Sequence, residues 1–140
     1  MVECKVVLDA GAYMPERAHE ADAGWDLRTP NAVAMAPGES VVIDTGVHVM
    51  IPRGYVGFLK AKSGLNIKSS ILGTGVVDAG YSGSIVVKLY NESPSDYKWF
   101  EAGDKIIQLV ILPIPDVTMT LVDKLEDTER GANGFGSTGR

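Results

Sequence analysis

Gly73-Thr74-Gly75-Val76-Val77-Asp78-Ala79-Gly80-Tyr81-Ser82-Gly83 runs straight into Ser84-Ile85-Val86-Val87-Lys88-Leu89-Tyr90-Asn91. Two arms rich in β-branched residues flank a centre rich in turn formers, so the segment reads as a long β-hairpin with Asp78 near its tip. The second arm is almost continuously apolar, as in a buried or half-buried strand. Outward from it, residues 6–8, 40–44, 47–51, 55–61 and 105–113 read as further strands. Gly38, Gly46, Gly54, Gly75, Gly83 and Gly103 sit near the ends of these runs, where turns call for positive φ. No window sustains a 3.6-residue apolar period. One short helix is expected from Ser63 to about Ser69, with Ser63 as its N-cap. Many short strands at intervals of about ten residues, without an internal repeat, predict an all-β barrel or sandwich.

The chain has 140 residues, of which 45% are hydrophobic and 22% charged, the size and balance of one ordinary domain. An enzyme this small often completes its site with a second subunit, so self-association is expected. A net charge of −5 excludes broad nucleic-acid binding, which needs clustered cations. It leaves room for a small phosphorylated ligand, which a few cations and backbone amides can hold. Cys4, the single cysteine, excludes an internal disulfide and a cysteine zinc site, and reads as a small apolar residue of the first strand. Met1-Val2-Glu3-Cys4-Lys5 lacks a signal pattern, and no apolar run approaches the roughly 18 residues of a membrane span, so a cytoplasmic protein without a membrane partner is expected. After Leu125 the composition turns acidic and then Gly-rich. This divides a body of residues 1–125 from a tail of residues 126–140 that should be mobile without a ligand.

Five segments carry chemistry. In Ala23-Gly24-Trp25-Asp26-Leu27, Asp26 alone reads as a turn residue. In Lys60-Ala61-Lys62-Ser63-Gly64-Leu65, a cation and a hydroxyl sit where a strand passes into a helix, a place suited equally to plain capping or to a phosphate. In the hairpin, Asp78 followed three residues later by Tyr81 can present a carboxylate and a flat ring to one cleft, or simply shape a turn. In Ala102-Gly103-Asp104-Lys105-Ile106-Ile107-Gln108-Leu109-Val110, Gln108 interrupts an apolar run. Its amide must be met by backbone or by a ligand. The tail from Arg130 to Gly139 has the composition of phosphate-cradling loops without P-loop spacing, and Phe135 there has no core of its own to enter.

In this order and spacing, the five segments resemble the five motifs of the trimeric dUTPase family, from Arg17-Ala18-His19 and Asp22-Ala23-Gly24 through to Gly139. The resemblance implies a jelly-roll-like β subunit with one short helix and a flexible Gly-rich C-terminal tail. It also implies a homotrimer with sites shared between chains, hydrolysis of dUTP to dUMP and pyrophosphate, and Mg²⁺ held by the triphosphate and water rather than by protein ligands. Such an activity would keep uracil out of DNA and supply dUMP for thymidylate synthesis. By the same resemblance, Asp78 would activate the water that attacks the α-phosphorus, and Tyr81 would lie against the deoxyribose. Backbone near Gly75, Val77 and Val86 would read uracil. Lys62, Ser63, Gly64 and Gln108 would meet phosphates, and Asp26 would support the metal-bound waters or the site framework. Arg130, Phe135, Gly136, Ser137 and Thr138 would close over the nucleotide, with Phe135 stacked on the base.

Two departures stand out. Lys62 replaces the family's usual Arg, which keeps the charge and loses the planar fork. Trp25 replaces its usual Tyr, a change read as packing. Two other functions fit the pattern less well. A dCTP deaminase carries a Glu in the strand after the hairpin, where this chain has Lys88, which cannot shuttle a proton there without a large pKa shift. A non-catalytic binding protein would have no need of an intact Asp78 and a full glycine tail.

Overall fold

Alternation shapes the sheets of the computed structural model, which describes residues 1–139. Along Val86–Asn91, residues Val87, Leu89 and Asn91 are buried while Val86, Lys88 and Tyr90 face outward, the two-residue period of a strand with one face on a core. In chain order the elements are β1 (Lys5–Leu8), β2 (Gly24–Arg28), β3 (Val33–Met35), β4 (Ser40–Asp44), β5 (Val47–Met50), β6 (Tyr55–Lys60), α1 (Ser63–Ser69), β7 (Ile71–Val77), β8 (Val86–Asn91), β9 (Lys98–Phe100) and β10 (Lys105–Pro113). Six strands form one antiparallel sheet in the order β2-β10-β6-β7-β8-β4. The pairs β1-β5 and β3-β9 complete an all-β, jelly-roll-like body. Leu27, Leu59, Leu89, Ile107 and Leu109 from the large sheet meet Met35, Val47 and Phe100 from the other strands, and Ile51 just past β5, in one core. Burying each such side chain contributes about 1.5–3 kcal/mol.

Several expectations are corrected. Asp26 is no turn residue: it lies inside β2, between Gln108 on β10 in register and an isolated bridge to Glu16. The helix spans Ser63–Ser69 as expected, but its N-cap is Lys62, and no side chain caps it. The strand expected over residues 84–91 begins at Val86, because Ser84 and Ile85 bond sideways to Asp44, Thr45 and Val47. The hairpin is also shallower than it reads. β7 pairs with β8 only from Ile71↔Asn91 to Gly73↔Leu89, after which β7 continues against β6 and β8 against β4. Gly38, Gly46, Gly54 and Gly103 adopt positive φ, whereas Gly75 and Gly83 do not. Those two are small for a different reason: a Cβ on Gly75 would meet the Leu59 side chain at 3.0 Å, and one on Gly83 would meet the Tyr81 hydroxyl at 2.3 Å.

Cys4 precedes β1 and packs half-buried against the core, where burial pushes its thiol pKa up. No helix among the described residues is long and apolar enough to cross a membrane. Beyond Pro113 no strand or helix follows among the described residues, and the side chains there are exposed.

Candidate active site

Two groups of the singled-out residues assemble, at different ends of the large sheet. The first forms where β2, β10 and the end of β6 run together. The register sets Asp26 beside Gln108, and Gln108 beside Lys60. The Asp26 carboxylate is almost fully buried. It pairs with the Lys62 ammonium through one oxygen and with the Lys105 ammonium, at 3.2 Å, through the other. Two cations against one anion leave one positive charge over, beside Ser63 and Gly64 at the start of α1. The first N–H groups of that helix have no intrahelical acceptor, and its first turn holds no acid. Gln108 donates from Nε2 to the Ala61 carbonyl at 3.2 Å, so backbone meets its amide nitrogen. Gly24 lies so close that a Cβ there would stand 2.0 Å from Gln108 Oε1. The cluster is suited chemically to anions.

The second group is the loop that joins β7 to β8. Since these strands stop pairing at Gly73↔Leu89, the edges of residues 74–77 and 86–88 that face each other carry backbone donors and acceptors with no strand partner. Gly75, Val77 and Val86 stand along that opening, and Asp78, Tyr81 and Ser82 close its end. The loop is well tied. Gly80 N–H donates to the Ile51 carbonyl at 3.2 Å, Tyr81 N–H to the Asp78 carbonyl at 3.2 Å, and the Tyr81 hydroxyl to the Ser84 carbonyl at 2.8 Å. The Tyr81 ring lies over Gly83, and the Asp78 carboxylate is exposed. The opening is lined by backbone groups, with a carboxylate at its mouth.

Within one chain Asp78 stands apart from the cationic cluster, although Gly75 is paired with Leu59 beside Lys60. β6 pairs with β7 from Gly57↔Val77 to Lys60↔Thr74. That stretch alone spans about 10 Å, with Asp78 beyond one end and Ser63 beyond the other. The tail joins neither group. Among the described residues Arg130 donates to the nearby Asn133 carbonyl at 3.0 Å. Gly136, Ser137 and Thr138 are exposed, and so is the whole Phe135 ring.

Sequence reading missed two residues. His48, in β5, has one ring nitrogen 2.8 Å from the Ser82 carbonyl and the other 3.0 Å from Asp9. Asn91, fully buried, donates from Nδ2 to the carbonyls of Met35, Ala36 and Asp96 and accepts the Ser93 N–H, which binds β8 to the β3 region. Both sit in alternating runs that signal only a strand, and the partners Asp9 and Ser82 of His48 and Met35 and Ala36 of Asn91 are far away in sequence.

Fold and site together define a jelly-roll-like β protein with a backbone-lined opening between β7 and β8 and a separate cationic cluster. The family model described as dUTPase matches residues 10–139. A deoxyuridine 5'-triphosphate nucleotidohydrolase of Cutibacterium acnes is 43% identical over 129 residues, 90% of this chain and 85% of that protein. One of Nocardia farcinica is 44% identical over 135 residues, 94% of this chain and 82% of that protein. This chain belongs to the dUTPase family. Among solved structures, a mutant dUTPase of Staphylococcus bacteriophage 80alpha with dUpNHpp superposes with a TM-score of 0.91 at 33% identity, covering 100% of both chains. A mutant dUTPase of phage phi11 of S. aureus, described with a coordinated structural Mg(II) ion, superposes with a TM-score of 0.82 at 32% identity, covering 90% of this chain and 100% of that one.

Proposed function

We propose that the chain hydrolyses dUTP to dUMP and pyrophosphate, in sites completed between copies of a homotrimer. The observation that carries this reading is the opening between β7 and β8, walled by backbone without strand partners and closed by Asp78 and Tyr81. Backbone groups at Gly75, Val77 and Val86 read the uracil edge. Cytosine offers the wrong pattern, which leaves buried donors or acceptors unpaired and so costs affinity. Tyr81 lies against the deoxyribose and excludes a 2′-hydroxyl. Asp78 takes a proton from the water that attacks the α-phosphorus, and pyrophosphate leaves in line.

The cationic cluster takes the phosphates. Ser63, Gly64 and Gln108 contact them, Lys62 adds its charge, and Asp26 holds the two lysines in place. Its distance from Asp78 along β6 supports a site made from more than one chain. Apolar surface left on the body supports the same assembly. Val42, Leu72, Val76, Val86 and Tyr90 share the outward face of β4, β8 and β7, and Met119 and Leu121 beyond β10 are almost wholly exposed. Residues 126–140 close last, with Phe135 on the base and Arg130, Gly136, Ser137 and Thr138 toward the phosphates, excluding water from the reaction.

Among the described residues, no three His, Cys, Asp or Glu side chains converge as a metal cage. A Mg²⁺ that brings most of its ligands as triphosphate oxygens and water would need no such cage, and Asp26 would stand behind the water shell. When bound, the ion neutralises charge on the phosphates.

Pyrophosphate release from dUTP, dCTP, dTTP and UTP with Mg²⁺, for wild type and Asp78→Asn, tests the reading. Release from dUTP alone, lost in the variant, is the expected result. No release from any of the four, or ammonia from dCTP, overturns it.

A further inference from the structure

The loop that carries Asp78 and Tyr81 is fastened along β5 and the residue after it: the Ile51 carbonyl takes the Gly80 N–H, His48 meets the Ser82 carbonyl, and the Val47 carbonyl takes the Ile85 N–H. The middle fastening is an imidazole with an acceptor on each nitrogen; at the foot of the loop the Ser84 hydroxyl also donates to Asp44 and the Thr45 hydroxyl to the Ile85 carbonyl. Nδ1 lies 2.8 Å from the Ser82 carbonyl oxygen, which can only accept, and Nε2 lies 3.0 Å from Asp9 Oδ1. A neutral imidazole has one N–H and cannot donate to both. Only the imidazolium makes both bonds at once.

We propose that His48 is a positioning residue for the hydrolysis, clamping the Ser82 carbonyl and with it the Asp78–Tyr81 loop while the imidazole is protonated. The inference rests on the reading of that loop as the base and sugar site. On deprotonation, the remaining proton stays on Nε2, because a hydrogen bond to a carboxylate is stronger than one to a neutral carbonyl. The Nδ1 lone pair then faces the Ser82 oxygen, and the clamp opens.

The groups around the ring are Asp9 in the turn after β1, Asp44 at the end of β4, and Lys5 on β1, which lines the same hollow with Val7 and Met50. The Ser82 carbonyl first, then Asp9 and Asp44, hold the imidazole above the usual histidine range. The Ser84 hydroxyl and the Gly46 N–H hold Asp44 below the usual carboxylate range, so its charge persists. The sign follows. A raised value means that the clamp is fully present below the ordinary histidine pKa and is lost as pH rises through the higher folded value.

The test compares wild type, His48→Phe and Asp9→Asn. His48→Phe fills the same space without donors, and Asp9→Asn keeps an acceptor while removing the charge. The ratio of wild-type to His48→Phe kcat/KM for dUTP is expected to be about threefold to tenfold below the His48 titration and to fall to about one above it. Asp9→Asn is expected to move that fall to lower pH. NMR titration of the two histidines, with His19 as the internal reference, gives the His48 midpoint directly. ¹⁵N relaxation of Tyr81–Ser84 is expected to show loosening at the same pH, a readout independent of turnover. A wild-type to variant ratio that is flat with pH, or a loop equally ordered on both sides of the titration, overturns the proposal. Absence of turnover in wild type with the NMR coupling intact overturns the proposed reaction instead and leaves the clamp standing.

Discussion

A methyl group added at Gly24 reaches the cationic cluster through Gln108 alone. The new Cβ would stand 2.0 Å from Gln108 Oε1, 2.9 Å from its Cδ and 3.0 Å from its Cβ. Gln108 must swing away and give up its bond to the Ala61 carbonyl. Losing that hydrogen bond costs about 1 kcal/mol, and forcing the side chain off its rotamer costs about another 1 kcal/mol. The stiffer unfolded chain of alanine returns about 0.5 kcal/mol. Gly24→Ala should therefore destabilise by about 1.5 kcal/mol, read as a lower urea midpoint with an unchanged slope. In a Gln108→Ala background the first two costs vanish. The remaining contact between the two Cβ atoms is eased by a shift of a few tenths of an ångström. There Gly24→Ala should fall within about 0.5 kcal/mol of neutral, a coupling of about 1.5 kcal/mol. An equal cost in both backgrounds would refute the claim that Gly24 is small on account of Gln108.

Asp78→Asn should lower kcat for dUTP by about 10²–10⁴-fold with the fold intact, checked by pyrophosphate release and circular dichroism. Asp26→Asn leaves the Lys62 and Lys105 ammoniums without their shared counter-ion. It should cost about 2 kcal/mol, less than a wholly buried pair because both lysines reach solvent, as measured in denaturant. Asn91→Leu strands the Met35, Ala36 and Asp96 carbonyls in the interior and should cost about 3 kcal/mol by thermal or urea unfolding, with KM for dUTP unchanged at temperatures where the variant is folded. Phe135→Ala should raise KM for dUTP several-fold while leaving the unfolding midpoint where it was, since the ring is wholly exposed.

What could be read locally was read well. The bounds of β4, β10 and α1 follow from β-branched runs and from a single helix-compatible interval, and the structure keeps them. β2 escaped because its signal is not local. Gly24-Trp25-Asp26-Leu27-Arg28 looks like a turn until Lys62 and Lys105 arrive from distant strands to neutralise Asp26. Ser63 was misread as a cap by one residue, a shift that sequence reasoning at helix ends does not resolve. Among the site residues, Asp26, Lys62 and Gln108 come together as one cluster, and the hairpin residues as another. That the two lie apart depends on the register of β6 against β7, which no motif spacing encodes. His48 and Asn91 owe their roles to partners met only after folding.

The separation along β6 has a consequence for heredity. If each site draws its two halves from different chains, two defective copies of the gene need not be equally defective together. A chain damaged at Asp78 still offers a sound phosphate cluster, and a chain damaged at Gln108 still offers a sound hairpin. Co-expressed, they form mixed assemblies in which some sites are built wholly from intact halves. Alleles altered at opposite ends of β6 should complement one another, and alleles altered at the same end should not. The complementation map of the gene would then trace the geometry of one strand.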